Sequence, residues 1–254
     1  MEIEESEPAD IVPADPLATV DDDQPAPRRE YDLLALLALA VLPDIANCFL
    51  YSDSAWAGEY SVVDFTLQLI VRSIQVSVPL LVIMRLMRVD WAEYGFRPYR
   101  LARDTAVAFG LIVLSYFMAG VAAGLLTALG FDLHGVGEAV EHVSSESTSP
   151  LLALTLVLIS SLANGFAEEL AMRSFLITRL RSLGVPTEGA VLGSSCLFAA
   201  YHAYQGTYGM VSVLGVGLVF GAYFAWARRL WPVVTAHFLM DVIAMVYYLD
   251  LSGG

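Results

Sequence analysis

The chain has 254 residues, 57% of them hydrophobic and only 16% charged, with a net charge of −14. So much apolar content against so little charge excludes an ordinary soluble domain, and the acidic balance argues against any nucleic-acid partner. The two cysteines, Cys48 and Cys196, exclude a disulfide framework or a CxxC metal pair; both fall in apolar runs and read as buried free thiols.

Ten of the 27 acids fall in residues 1–30, "MEIEESEPADIVPADPLATVDDDQPAPRRE". Rich in acid, proline and alanine and without apolar period, this segment reads as a disordered tail. It lacks the basic start and apolar run of a signal peptide. From residue 31 to 254 the chain reads as one all-α, polytopic transmembrane bundle. A helical span needs about 20 apolar residues, and seven stretches qualify, at approximately 31–51, 61–86, 104–130, 150–180, 187–204, 208–227 and 231–250. The fourth is long enough to break near Asn164 and Gly165, which would make an eighth element. Gly215, Gly217 and Gly221 in the sixth allow close helix contact.

All 13 basic residues are arginines, and their placement predicts orientation. Arg28 and Arg29 precede the first span. Arg85, Arg88, Arg97, Arg100 and Arg103 lie between the second and third, Arg179 and Arg181 after the fourth, and Arg228 and Arg229 after the sixth. The 51–60, 131–149 and 205–208 loops have none, and the 131–149 loop carries Asp132, Glu138, Glu141 and Glu146 instead. Seven crossings put the N-terminus in the cytoplasm and the C-terminus outside. The 86–103 segment, "MRVDWAEYGFRPYRLARD", reads as a cytoplasmic loop with aromatic anchors, or as an interfacial segment.

A charge at membrane depth costs about 2.5–3.5 kcal/mol on insertion scales, so polar groups inside the spans need reasons. In "GFAEELAMRSF", Glu169 and Arg173 are four apart and share a helix face, where they can pair. Glu168 points about 100° away from Glu169 and is left as the free carboxylate, suited to proton transfer or to holding helices together. In "LFAAYHAY", Phe198 and His202 share a face; in "TAHFLMDV", His237 and Asp241 do, so the carboxylate can hold the ring and fix its tautomer. Each pattern alone also fits a structural polar contact. Asp44, Asp64 and Arg72 have no motif spacing and read as interfacial or packing residues. Measured inward at 1.5 Å per residue, Glu168, His202 and His237 lie about 16, 21 and 9 Å from the arginine-rich ends of their spans. Tilt absorbs the difference, and three costly groups at a shared level favour chemistry.

These residues also carry a resemblance. "EELAMR", "FAAYH" and "HFLMD" match, in order, the EExxxR, FxxxH and HxxxN/D motifs of the CAAX prenyl protease (Ras-converting enzyme) and bacteriocin-processing superfamily, called CPBP or Abi. The matched core covers about 150–245; the first three spans match only in being apolar. The resemblance implies an intramembrane endopeptidase. By it, Glu168 activates water with help from His202, His237 and Asp241 stabilise the oxyanion, and Glu169, Arg173 and Phe198 support the site. Many members have asparagine where this chain has Asp241, and an ionised aspartate repels an oxyanion. Asp241 is therefore either protonated or a partner of His237. The prenyl-protease branch looks metal-free, so no cofactor is expected; the alternative is zinc on Glu168, His202 and His237. The expected partners are membrane lipids and a hydrophobic or lipidated peptide or protein. Two rival readings keep the fold without the proteolysis. One is a scaffold or bacteriocin-immunity protein. The other is a proton-coupled transporter, which would need paired broken helices.

Overall fold

The computed structural model describes residues 31–43, 45–46, 60–133, 143–144 and 148–248. The expected acidic tail at 1–30, Asp44, Cys48, Glu138, Glu141 and Glu146 fall outside these residues.

The described chain is helical. The first helix, α1 (Tyr31–Leu36), runs into a π-helical stretch, Leu37–Val41. Then come α2 (Val62–Leu86), α3 (Leu101–Ala128), α4 (Pro150–Ser182), α5 (Thr187–Ala200), α6 (Gly206–Ala227) and α7 (Trp231–Tyr248). A two-residue parallel pairing joins Tyr60–Ser61 (β1) to Val143–Ser144 (β2). α4 lies at the centre, against α2 on one side and α7 on another, while α3 bridges α6 and α7 and α5 packs on α6.

Local chemistry starts and sustains these helices. Ser61 caps α2, its hydroxyl accepting from the Asp64 N–H at 3.1 Å. Ser149 caps α4 just before Pro150, which has no N–H to lose at a helix start. Inside α2, the Thr66, Ser73 and Ser77 hydroxyls donate to the carbonyls of Val62, Leu69 and Ser73. Lipid offers these groups no partner, so the helix supplies its own.

Among the described residues, four stretches, 62–86, 101–128, 150–182 and 203–227, are long and apolar enough to cross a membrane, yet only 22–33% of the most apolar part of each is buried. The outward faces are apolar rows such as Phe109, Val113 and Phe117 on α3. A protein in water cannot expose such rows without aggregating; one in a bilayer must. The chain is a helical membrane protein.

The arginine-rich ends of the helices meet. Arg229, beyond α6, forks onto Asp104 in the first turn of α3, with Nε to Oδ1 at 3.1 Å and Nη2 to Oδ2 at 2.6 Å, and its Nη2 also donates to the Pro98 carbonyl. The bonded Asp104 carboxylate pushes the Arg229 guanidinium above its ordinary value. Arg228 donates to the Glu93 carbonyl and the Thr178 hydroxyl, while burial pulls its guanidinium down. Arg179 pairs with Asp32 of α1.

The 86–103 segment folds back as a compact turn against this end. Ser174 donates to the Tyr94 carbonyl at 2.6 Å, and the Leu230 N–H to the Gly95 carbonyl at 3.0 Å. Gly95 has φ of +86°, and a Cβ there would stand 2.7 Å from the Phe224 ring, so only glycine fits. Trp231 holds Phe96 and Phe166 at ring distances of 6.2 and 6.1 Å.

Three sequence expectations need correction. α4 does not break at Asn164–Gly165. It runs on, because Gly165 serves close approach: a Cβ there would lie 3.2 Å from the Phe238 nitrogen of α7. The irregularity falls later, as a wholly buried π-helical stretch, Leu170–Ile177. The stretch expected at 187–204 is α-helical only over Thr187–Ala200, and a turn then carries His202. Cys196 is exposed on the outer face of α5 rather than buried; hydrocarbon accepts a thiol as readily as a core does, so its apolar surroundings did not reveal which.

Candidate active site

Helix periodicity assembles the site. On α4, Asn164 and Glu168 are four apart, as are Glu169 and Arg173, which gives two adjacent polar rows. The widening of the helix just after Glu169 is the kind of π-bulge that recurs at functional sites. Across the Gly165 contact, α7 presents His237 and, one turn on, Asp241.

Glu169 is fully buried and ties the two helices together. Its Oε1 lies 3.0 Å from Arg173 Nη1 and 2.7 Å from His237 Nδ1. Arg173 is also fully buried, and its guanidinium lies over the Phe198 ring at 4.1 Å and 5.7 Å from that of Phe220. A guanidinium, weakly hydrated and planar, tolerates that aromatic slot where an ammonium would not.

With Nδ1 committed to Glu169, His237 turns Nε2 toward Glu168 Oε2 at 3.4 Å and Asp241 Oδ1 at 3.5 Å. Both contacts sit at the long limit of hydrogen bonding, and each needs a proton on Nε2 or on the facing carboxyl. Asp241 is held from its other side, where Asn164 Nδ2 donates to Oδ2 at 3.0 Å. Asp241 thus contacts His237 and Asn164 together.

His202 sits apart from the carboxylates. Its Nδ1 is 2.8 Å from the Phe198 carbonyl, and a carbonyl only accepts, so Nδ1 carries the hydrogen and Nε2 keeps its lone pair. The described ring contacts of His202 are Tyr201, Phe198 and Tyr204, at 4.5, 4.7 and 5.8 Å. Phe198 is the hub between His202, Arg173 and His237, whose ring is 6.1 Å away.

The two adjacent glutamates differ in what they face. Glu169 is sealed; Glu168 borders a cavity of about 30 Å³ together with Arg72 and Ser73 of α2, Asn164 and Met172 of α4, and Tyr201. That volume suffices for a water, which needs roughly 10–15 Å³ of such space and two to four polar partners. Sequence reasoning read Asn164 only as a breaking point, took Arg72 for an interfacial or packing residue and did not single out Tyr201. The available signals were the four-residue step from Asn164 to Glu168 and the placing of Arg72 in mid-span rather than in the last turn, where Arg85 lies, which by default marks function. Among the described residues, no three His, Cys, Asp or Glu side chains are arranged to hold a metal ion. His237 has one nitrogen committed to Glu169 and the other turned to carboxylates, so the Glu168–His202–His237 set does not form a cage as it stands.

No curated protein and no solved structure matches the chain. Residues 150–243 match the family model described as type II CAAX prenyl endopeptidase Rce1-like. The match spans less than half of the chain but takes in Asn164, Glu168, Glu169, Arg173, Phe198, His202, His237 and Asp241, leaving out Arg72 and Ser73 of α2. Over the segment that builds this site, the chain is therefore similar to the Rce1-like type II CAAX prenyl endopeptidase family.

Proposed function

We propose that the protein is an intramembrane endopeptidase acting on hydrophobic or lipidated polypeptides, prenylated CAAX-type chains among them, with Glu168 as its general base. The observation that carries this reading is the contrast between the two glutamates. Glu169 is spent on Arg173 and His237, while Glu168 faces a water-sized cavity with His237 Nε2 3.4 Å away. Glu168 takes a proton from water in that cavity, aided by the lone pair on His202 Nε2. The hydroxide oxygen bonds to the scissile carbonyl carbon, and the carbonyl π pair moves to oxygen. His237, protonated on Nε2, and the second N–H of the Asn164 amide donate to that oxyanion. Asn164 thereby supplies the amide that an aspartate at 241 lacks. As the tetrahedral species collapses, the C–N bond breaks and Glu168 returns its proton to the leaving amine.

The chemistry is read as metal-free. The membrane topology belongs to the same proposal: seven spans, with the arginine-rich end cytoplasmic. That reading is supported by the mutual packing of the α1, α3, α4 and α6 ends through Arg179, Arg228 and Arg229.

The test is cleavage of a farnesylated CAAX peptide and of an unmodified hydrophobic peptide library by purified protein. Glu168→Gln should abolish product while the variant melts normally, and a chelator should leave wild-type activity intact. Cleavage equal to wild type by Glu168→Gln removes the assignment; loss with chelator restores the metal alternative. The scaffold reading draws on the sealed Glu169–Arg173–His237 knot, which is a structural device whatever Glu168 does. It gains if Glu168→Gln chiefly lowers the melting temperature.

A further inference from the structure

Among the described residues, two that are not glycine take a left-handed backbone, and both are arginines at the arginine-rich end of the bundle. They are Arg88, with φ of +51°, just beyond α2, and Arg228, with φ of +50°, just beyond α6. Glycine is the usual residue where a helix ends in that conformation, because it has no Cβ to clash. An arginine there accepts backbone strain, so its side chain is the feature to explain.

The Arg228 guanidinium reaches between two elements. Its Nη1 donates to the Glu93 carbonyl of the 86–103 turn at 3.2 Å and to the Thr178 hydroxyl of α4 at 3.0 Å. Both acceptors are neutral, so they leave its charge in place. Arg97, four residues on from Glu93, and Arg181, three on from Thr178, flank the same spot. Burial first and Arg181 next pull the Arg228 guanidinium down; the Glu93 carboxylate opposes them, and Arg97 adds to them. Among the described residues, the Arg97 and Arg181 side chains make no hydrogen bond or ion pair. The nearby Arg179 is already paired with Asp32. Three guanidiniums therefore share one carboxylate, and the cluster keeps an excess of positive charge.

The setting says what matches it. Trp226, two residues before Arg228, is 80% exposed, and Leu183, two after Arg181, is exposed as well. An outward tryptophan at the end of an apolar span marks the headgroup level of a bilayer. The abundant anions at that level are lipid phosphates, and a guanidinium fork fits a phosphate through paired N–H···O bonds. A headgroup that also carries an ammonium, as phosphatidylcholine does, would bring one more cation to a cluster already positive.

We infer that Arg97, Arg181 and Arg228 form a site for the phosphate of an anionic membrane lipid, which joins the 86–103 turn to the ends of α4 and α6. The site stands whether or not the protein cuts peptides. To test it, full-length protein in mild detergent is offered equal amounts of phosphatidylglycerol and phosphatidylcholine with matched chains, and retained lipid is counted by native mass spectrometry. Wild type should retain chiefly phosphatidylglycerol. In Arg181→Gln/Arg228→Gly the preference should fall about thirtyfold, the loss of two basic residues at an anionic surface. Glycine suits the left-handed backbone, and melting in phosphatidylcholine nanodiscs checks the fold. Should that variant fail to fold, Arg97→Gln/Arg181→Gln replaces it, because neither side chain bonds to the rest of the bundle. Arg85→Gln, which removes an exposed arginine in the last turn of α2, should keep the preference within about twofold. Phosphatidylglycerol in the nanodiscs should raise the Tm of wild type and leave that of the cluster variant in place.

Equal retention of both lipids by wild type overturns the site. So does an equal loss in Arg85→Gln, which would mean diffuse charge in place of a defined cluster. Displacement of phosphatidylglycerol by millimolar inorganic phosphate gives the cluster to a soluble anion and overturns the lipid. A preference seen only after residues 1–30 are removed gives it to that acidic segment and overturns the inference as well.

Discussion

Glu168 and Glu169 are neighbours with the same side chain, and the bundle gives them opposite environments. Glu169 is fully buried and holds Arg173 and His237; Glu168 keeps partial exposure at the cavity. Glu169→Gln removes the charge that offsets a buried guanidinium, and should cost about 3–5 kcal/mol of stability, since an uncompensated buried charge is worse than none. Glu168→Gln should cost less than about 1 kcal/mol, the usual range for a change that leaves no charge unpaired. It should lower kcat by roughly 10²–10⁴, the span attributed to a general base. Thermal unfolding in detergent and peptide cleavage, measured on both variants, separate the two. Arg173→Lys should destabilise nearly as much as loss of the charge, because an ammonium cannot lie flat between Phe198 and Phe220.

At the scale of the helix, α4 and α7 carry the Glu168, Glu169, His237 and Asp241 contacts, and Gly165 sets their distance. A methyl at 165 would meet the Phe238 nitrogen at 3.2 Å and His237 Cβ at 3.3 Å. Gly165→Ala should therefore cost about 1–3 kcal/mol by overpacking. It should also lower activity more than a comparable change on the lipid face, because the displaced residue is His237. Parallel melts and assays of Gly165→Ala and Gly193→Ala, whose added Cβ meets nothing within 4 Å, check this. The π-helical stretch explains why simple 100° steps describe α4 only in part: after Glu169 the repeat lengthens, and eight consecutive residues become buried. Periodicity located Glu169 and Arg173 on one face correctly, but it had no means of foreseeing the widening or the continuity through Asn164.

At the scale of the whole molecule, the arginine-rich ends are fastened by buried ion pairs. Asp104→Ala strips Arg229 of its two-pronged partner and should cost about 3–5 kcal/mol, seen as a lower melting temperature with the bundle's helicity retained below it. The proposed topology has its own test. In a chain cleared of Cys48 and Cys196, a single cysteine at Arg100 should react with membrane-impermeant maleimide only in inverted vesicles, and one at Asp132 only in right-side-out ones. Labelling of both from the same face would remove the seven-span arrangement.

Composition, arginine spacing and three short motifs were enough to determine that this chain is a helical membrane protein and which four polar groups, Glu168, His202, His237 and Asp241, to examine. Hydrophobicity over 20 residues and four-residue steps on one helix are local properties, so they can be read from a string. The partners of those groups are not local. That His237 binds Glu169 through one nitrogen and faces Glu168 and Asp241 with the other depends on the Gly165 contact between helices some 70 residues apart in sequence. So does the placing of Asn164 on Asp241, and the water-sized space between α2 and α4 belongs to no single helix. Distances between helices are set by side-chain packing summed over the whole bundle, and only the tertiary structure decides them.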